Sequence, residues 1–260
     1  MKKWMKLVAV MIVAVMSLTA LTACGGGNVT LADIQKKGKI TVATSPDFPP
    51  FENLENNEIV GIEVDVMNQV AAELGVEIEF IQMDFDSILP AVQAGKVNMG
   101  MSGFTVTEER LENADFTMPY FMASQAIVVL ADSDIKTKAD LEGKTISVQT
   151  GTTAEEYCMG EGYDVQSFVA NNDAVAALTS GKVDAWVVDN EVAVALSAEQ
   201  NGKTVVLDEA MTQEPYAFCF RKGSDDLTLA FDEIIDAMIR DGRMQAIFDS
   251  YGVPYVAPEM

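Results

Sequence analysis

Met101-Ser-Gly-Phe-Thr-Val-Thr-Glu-Glu-Arg110 is the stretch on which the fold turns. Val97–Met101 reads as a short buried strand that Ser102-Gly103 breaks, and Thr107 then stands as a helix N-cap. Glu108 and Glu109 fall in the first helical turn, where the dipole favours acids. Small and hydroxylated residues at a strand end leave backbone N–H groups open to a ligand, and Gly103 permits close approach. Arg110 adds a planar, permanently charged fork that matches a carboxylate. The same pattern also describes a solvated helix start with a surface arginine.

Working outward, two other stretches carry complementary chemistry. Gln149-Thr-Gly-Thr-Thr153 follows the apolar strand Thr145–Val148 and precedes a helix, so it is a second hydroxyl-rich loop at a strand end. Asp189 ends Val183-Asp-Ala-Trp-Val-Val188, a strand buried on both faces by its composition. An aspartate in that place is either the cap of the next helix or a seat for an ammonium group. Arginine for one end of a ligand and aspartate for the other describe an α-amino acid.

Around these loops, apolar runs and helical periodicity alternate. Leu31–Gly38 is a short helix leading into the strand Lys39–Thr44. Ser45-Pro-Asp-Phe-Pro-Pro-Phe-Glu52 carries three prolines, which forbid a regular element and present Phe48 and Phe51 from a stiff loop. Glu55-Asn-Asn-Glu58 is a turn. After Gly61, residues Ile62, Val66, Val70 and Leu74 share one helical face. Val76–Ile81 is a strand, and a helix through Ile88, Leu89 and Val92 follows Phe85. This order predicts an α/β lobe with a parallel sheet and ligand loops at the strand C-termini. A second round runs from Gln125–Leu130 to Asn190–Gln200, and Pro215–Arg221 reads as an extended return before two amphipathic helices.

The first 23 residues have the form of an export signal. Lys2, Lys3 and Lys6 form a charged start, and Leu7–Leu21 is an apolar core too short for a comfortable membrane span. Leu21-Thr-Ala-Cys24 looks like a bacterial lipobox that makes Cys24 the lipid-bearing first residue, with residues 24–30 as a flexible tether; an ordinary cleaved signal or an uncleaved anchor is the alternative. Removing residues 1–23 takes three of the 17 basic side chains and none of the 40 acidic ones, leaving a net charge of −26. That balance argues against nucleic acid or anionic lipid as a partner and fits an exported, soluble protein, for which the acidity need serve nothing beyond solubility. The chain has no histidine, the commonest general base and metal ligand, and neither cofactor nor metal is expected. Cys158 and Cys219 lie in separate segments and read as two buried small apolar residues rather than a disulfide.

Gly61-Ile-Glu-Val-Asp-Val66 with Val70, Ala71 and Leu74, the Ser102–Arg110 and Val148–Thr153 segments, and Gly181-Lys-Val-Asp-Ala185 with Asp189-Asn190 together resemble the family 3 solute-binding proteins of bacterial amino-acid ABC transporters. The likeness runs from about Asn28 to the C-terminus. It implies an α/β, two-lobed periplasmic-binding-protein-like (type II) fold with two crossover hinge strands, near Met122–Ser124 and Thr212–Pro215. Lobe 1 would comprise residues 31–122 plus 214–260, and lobe 2 residues 123–213. It also implies a monomer on the outer face of the cytoplasmic membrane, capturing a free polar L-amino acid and passing it to ABC permease subunits.

Carried over by position, Arg110 and Thr105 would hold the α-carboxylate, with Ser102 beside them and Gly103 offering its backbone. Asp189 and Thr153 would serve the α-ammonium side. Phe48 and Phe85 would sandwich the ligand side chain, and Ser45 and Gln149, with Asn190, would read it. Ser45 stands where basic-amino-acid binders of the family often carry an acid; Asp47 and Glu52 either compensate or are solvated loop acids. Two rival readings share this scaffold. An exported enzyme, cyclohexadienyl-dehydratase-like, needs a general acid or base beyond the groups assigned to the ligand termini. A sensing module needs a following transmembrane segment, and no apolar run after residue 23 is long enough.

Overall fold

The computed structural model describes residues 28–258. The export signal, Cys24 and the first residues of the tether lie outside the described residues. Helix α1 (Leu31–Lys37) starts at a reciprocal cap between Thr30 and Asp33 and stops at left-handed Gly38, delivering β1 (Lys39–Thr44). A three-stranded antiparallel ribbon follows: β2 (Asp47–Phe48), β3 (Glu52–Glu55) and β4 (Glu58–Val60). Helix α2 (Ile62–Leu74) buries Ile62, Val66 and Val70, three of the four residues its periodicity marks. Next come β5 (Glu77–Gln82), α3 (Phe85–Gln93) and β6 (Met99–Gly100), and both strands lie parallel to β1. Helix α4 (Glu108–Asn113) and β7 (Ala114–Phe116) lead to β8 (Phe121–Ala123), where the chain leaves this sheet.

The second round consists of β9 (Gln125–Leu130), β10 (Thr145–Gln149), α5 (Thr153–Gly160), β11 (Asp164–Phe168), α6 (Asn171–Thr179), β12 (Ala185–Asp189), α7 (Asn190–Ala198) and β13 (Thr204–Val206). The chain then returns through β14 (Glu214–Tyr216) to β15 (Cys219–Arg221), α8 (Asp225–Asp241) and α9 (Arg243–Ser250). The first sheet has the order β5-β1-β6-β15-β7 and the second β11-β10-β12-β9-β13. In both, the first three strands are mutually parallel and the last two run antiparallel to their neighbours. Strand β15 completes the first sheet although it follows the second in sequence. The connections β8 and β14 pair antiparallel, Phe121 against Tyr216 and Ala123 against Glu214. This is the two-lobed α/β fold with two crossover strands.

Two expectations need correction. The strand expected over Val97–Met101 shrinks to Met99–Gly100, because Asn98 turns its side chain back on Thr41: Asn98 Oδ1 accepts from the Thr41 amide and hydroxyl, both at 2.8 Å. The 45–52 segment does contain a regular element. Prolines 46, 49 and 50 flank Asp47 and Phe48 instead of occupying them, so those two residues pair with Asn53 and Glu52. Asn56 and Asn57, both at positive φ, make the Glu55–Glu58 turn a hairpin between β3 and β4. Cys158 and Cys219 are both buried, and among the described residues neither is paired, as read from the sequence.

Candidate functional site

The loops at the C-terminal ends of β6, β10 and β12 converge between the two sheets. Nine of the eleven nominated residues line one cavity there: Arg110, Ser102, Gly103, Thr105, Phe48 and Phe85 from the first-sheet side, and Asp189, Thr153 and Gln149 from the second. Ser45 does not. It lines an adjoining crevice with Asp47 and Val169, and its hydroxyl donates to Asp47 at 2.9 Å. Asn190 also lies outside the cavity, its Nδ2 donating to Glu191 at 3.4 Å.

Arg110 is held from its own helix upward. Thr107 caps α4 by accepting from the Arg110 amide at 3.2 Å, which sets the arginine in the first turn with its side chain pointing back to the loop. The guanidinium lies 5.7 Å from the Phe85 ring centre and 5.3 Å from that of Phe104, and those two rings stack on each other. Its Nη1 donates to the Thr105 carbonyl at 3.0 Å, and Nη2 reaches across to the Gly151 carbonyl at 3.1 Å. Only 7% exposed, the fork is desolvated and fixed, the state in which it pairs best with a carboxylate.

Asp189 is where β12 ends and α7 begins, yet its carboxylate makes no capping bond. It is instead 8% exposed and accepts from Gln125 Nε2 at 3.0 Å. Burial, with Glu214 and Glu191 nearby, pushes the Asp189 carboxyl well above the usual carboxylate range. The same Gln125 amide reaches the Thr153 hydroxyl at 3.3 Å, and that hydroxyl donates to Glu214 at 2.9 Å. Thr153, Gln125 and Glu214 therefore form one chain of hydrogen bonds around Asp189. Sequence reasoning missed Gln125 and Glu214. Both are strand-initial polar residues whose burial depends on the pairing of distant strands.

Three assignments change at closer range. Gly103 does not offer its N–H to a ligand here: both Glu63 carboxyl oxygens accept it, each at 3.2 Å. Gln149 lines the cavity, but its amide is engaged: Nε2 donates to the Val169 carbonyl at 3.1 Å and Oε1 accepts from Asn171 at 2.9 Å. Asp47 and Glu52 are not solvated loop acids. Glu52 is fully buried and accepts from the Ser102 hydroxyl at 2.7 Å. Asp47 crosses the cleft to accept from the Asn171 amide, the first residue of α6, at 2.8 Å. Gly103 has φ +56°, and a Cβ added there would lie 2.5 Å from a Phe48 ring carbon, so the glycine is what lets Phe48 lie over the loop. Thr152 also lines the cavity while capping α5.

Residues 40–254 match the family model of bacterial extracellular solute-binding proteins, family 3. The "Probable histidine-binding protein" of Campylobacter jejuni is 33% identical over 82% of this chain and 84% of its own length. The "Arginine-binding extracellular protein ArtP" of Bacillus subtilis is 33% identical over 95% of this chain and 96% of its own. An ancestral arginine-binding protein, solved bound to glutamine, superposes with a TM-score of 0.79 at 39% identity, over 82% of this chain and 97% of that one. The paired strand-end loops, the two crossover strands and these matches agree, and the chain belongs to the bacterial extracellular solute-binding proteins, family 3.

Proposed function

We propose that this chain is an extracytoplasmic substrate-binding lipoprotein, anchored through Cys24, that captures a free polar L-amino acid between its lobes and delivers it to an ABC importer. The observation that carries the reading is the placement of Arg110 and Asp189 in one cavity, on opposite sides of the cleft. The lobes divide at residues 122/123 and 213/214, within or beside the β8–β14 ladder, so a zwitterion held by both side chains bridges them. Glu214 and Glu191 stand behind Asp189 and add to the acidic surround of the site, which favours a ligand side chain bearing nitrogen donors, cationic or amide. The relatives named for arginine and histidine, and the ancestral protein bound to glutamine, support that class. Binding without turnover is the reading that fits the site, since its two charged poles are both assigned to the ligand termini.

A thermal-shift screen over the twenty amino acids identifies the ligand, and calorimetry with two end-modified analogues tests the mode. Each charged terminus makes a charge-assisted contact worth roughly 1.5–3 kcal/mol, so the carboxamide and the decarboxylated amine should each bind at least about tenfold more weakly. Equal affinity for all three forms would refute the reading, and a largest shift with leucine, isoleucine or valine would refute the polar class.

A further inference from the structure

Behind the cavity, two glutamates with no exposed surface meet: Glu52 from β3 and Glu63 from the first turn of α2. We infer that they share a single proton, Glu52 the acid and Glu63 the carboxylate, and that this pair is the positioning device for the Ser102–Gly103 turn of the ligand cavity. The donors around each oxygen assign the proton. Glu63 receives the Gly103 N–H on both oxygens, and Oε1 also receives the Tyr120 hydroxyl. A carboxylate is the form that satisfies so many donors.

Glu52 is different. Its Oε1 accepts from the Ser102 hydroxyl at 2.7 Å, whereas its Oε2 is buried and no donor among the described residues reaches it. An ionised oxygen left that way carries the full cost of desolvation, but a carboxylic O–H there donates to Glu63, which lies within hydrogen-bonding reach. Among the described residues the groups facing the pair are Asp47, Ser102, the Gly103 amide, Tyr120 and Cys219, and none is a cation. Two buried carboxylates with no cation between them do not both ionise. Burial and the Glu63 charge accordingly push Glu52 well above the usual carboxyl range. The Ser102 oxygen, fixed by Glu52, in turn accepts from the Ser45 amide at 3.2 Å, so the loop after β1 and the loop after β6 hang on the same proton.

Glu52→Gln reproduces the neutral acid, with an oxygen for Ser102 and an N–H for Glu63. Glu63→Gln cannot reproduce the carboxylate. In the unfolded chain Glu52 ionises in its ordinary range, so raising the pH adds a Glu52 contribution to unfolding in the parent that E52Q lacks, while the other buried carboxyls act on both alike. Urea unfolding should therefore show the midpoint of E52Q rising relative to the parent between pH 4 and pH 8. A difference that does not change with pH, or that moves the other way, overturns the proposal. Glutamate-selective carbon-13 labelling gives a second reading that needs no stable variant: the parent at pH 7 should keep one un-ionised glutamate carboxyl. That signal should be missing in E52Q; its absence from the parent, or its persistence in E52Q, overturns the proposal. The Gly103 amide resonance should keep its position in E52Q and move in E63Q, and the reverse would overturn the positioning role. The consequence for affinity rests on the amino-acid reading of the cavity, but these three readouts use no ligand and so fail independently of it.

Discussion

Arg110 and Asp189 show how one residue type yields different chemistry in different surroundings. Both lie at helix starts, where an arginine or an aspartate is ordinarily a solvated side chain or a cap. Each is instead desolvated and turned toward the same space. For Asp189 this has a pH consequence. Burial and the charges of Glu214 and Glu191 raise its carboxyl well above the ordinary value, and a bound ammonium group would restore the ionised form. Ligand binding should release a proton, and affinity should rise with pH across the interval between the ordinary carboxylate range and the raised value, then level off. Calorimetry in two buffers of different ionisation enthalpy measures the proton directly; Asp189→Asn should abolish the release, and a binding heat independent of buffer would contradict this account. At this scale the sequence was legible where a side chain sits in a distinctive local frame, as Arg110 does after Thr107. Glu52 was not legible. It sits in a polar run, and its burial is decided by Ser102 and Glu63, which only the folded chain brings beside it.

Elements were most legible where one face repeats. The apolar face of α2 was plain in the sequence, and so were the strands buried on both sides in the second sheet. The β2–β3–β4 ribbon was missed because its strands are short and carry several polar residues, leaving only the Asn56-Asn57 turn as a signal. That ribbon and α2 meet at Gly61, whose φ of +141° lets the chain turn directly into the helix. The carbonyls of Pro50 and Phe51 accept the first amides of α2, from Ile62 at 2.9 Å and Glu63 at 3.0 Å. A Cβ at position 61 would stand 2.2 Å from the Phe51 carbonyl oxygen, a backbone atom that cannot step aside. Gly61→Ala combines that overlap with a disfavoured backbone conformation, and should cost at least about 2 kcal/mol of stability by urea unfolding. It should also weaken ligand binding, because Glu63 and the Gly103 amide it holds move with the first turn of α2. A variant as stable as the parent would mean the junction relaxes freely.

At the scale of the whole molecule, the cleft is crossed by few direct bonds. Arg110 reaches Gly151, the Thr153 hydroxyl donates to Glu214 at 2.9 Å, and Asp47 accepts from the Asn171 amide and, at 3.4 Å, from Gln149. The β8–β14 ladder, three residue pairs long, ties the lobes at one edge. So small an attachment leaves an open–closed equilibrium as the expected motion, and a ligand favours closure only by binding the closed form more tightly. Asp47 offers a way to shift that equilibrium from outside the cavity lining, since it lies in the adjoining crevice and meets the cavity only through its long 3.4 Å contact with Gln149. Its bond to the start of α6 exists only when the lobes are together, and burial, which raises its carboxyl, offsets part of the gain. Asp47→Ala should therefore disfavour closure by roughly 1 kcal/mol and weaken the apparent affinity about fivefold through the smaller closed population. X-ray scattering should show a larger radius of gyration for the ligand-free variant than for the ligand-free parent, and the same compact value for both at saturating ligand. A parent that does not contract with its amino acid would refute the trap. A variant whose affinity and dimensions match the parent's would show that the Asp47 bond contributes nothing to closure.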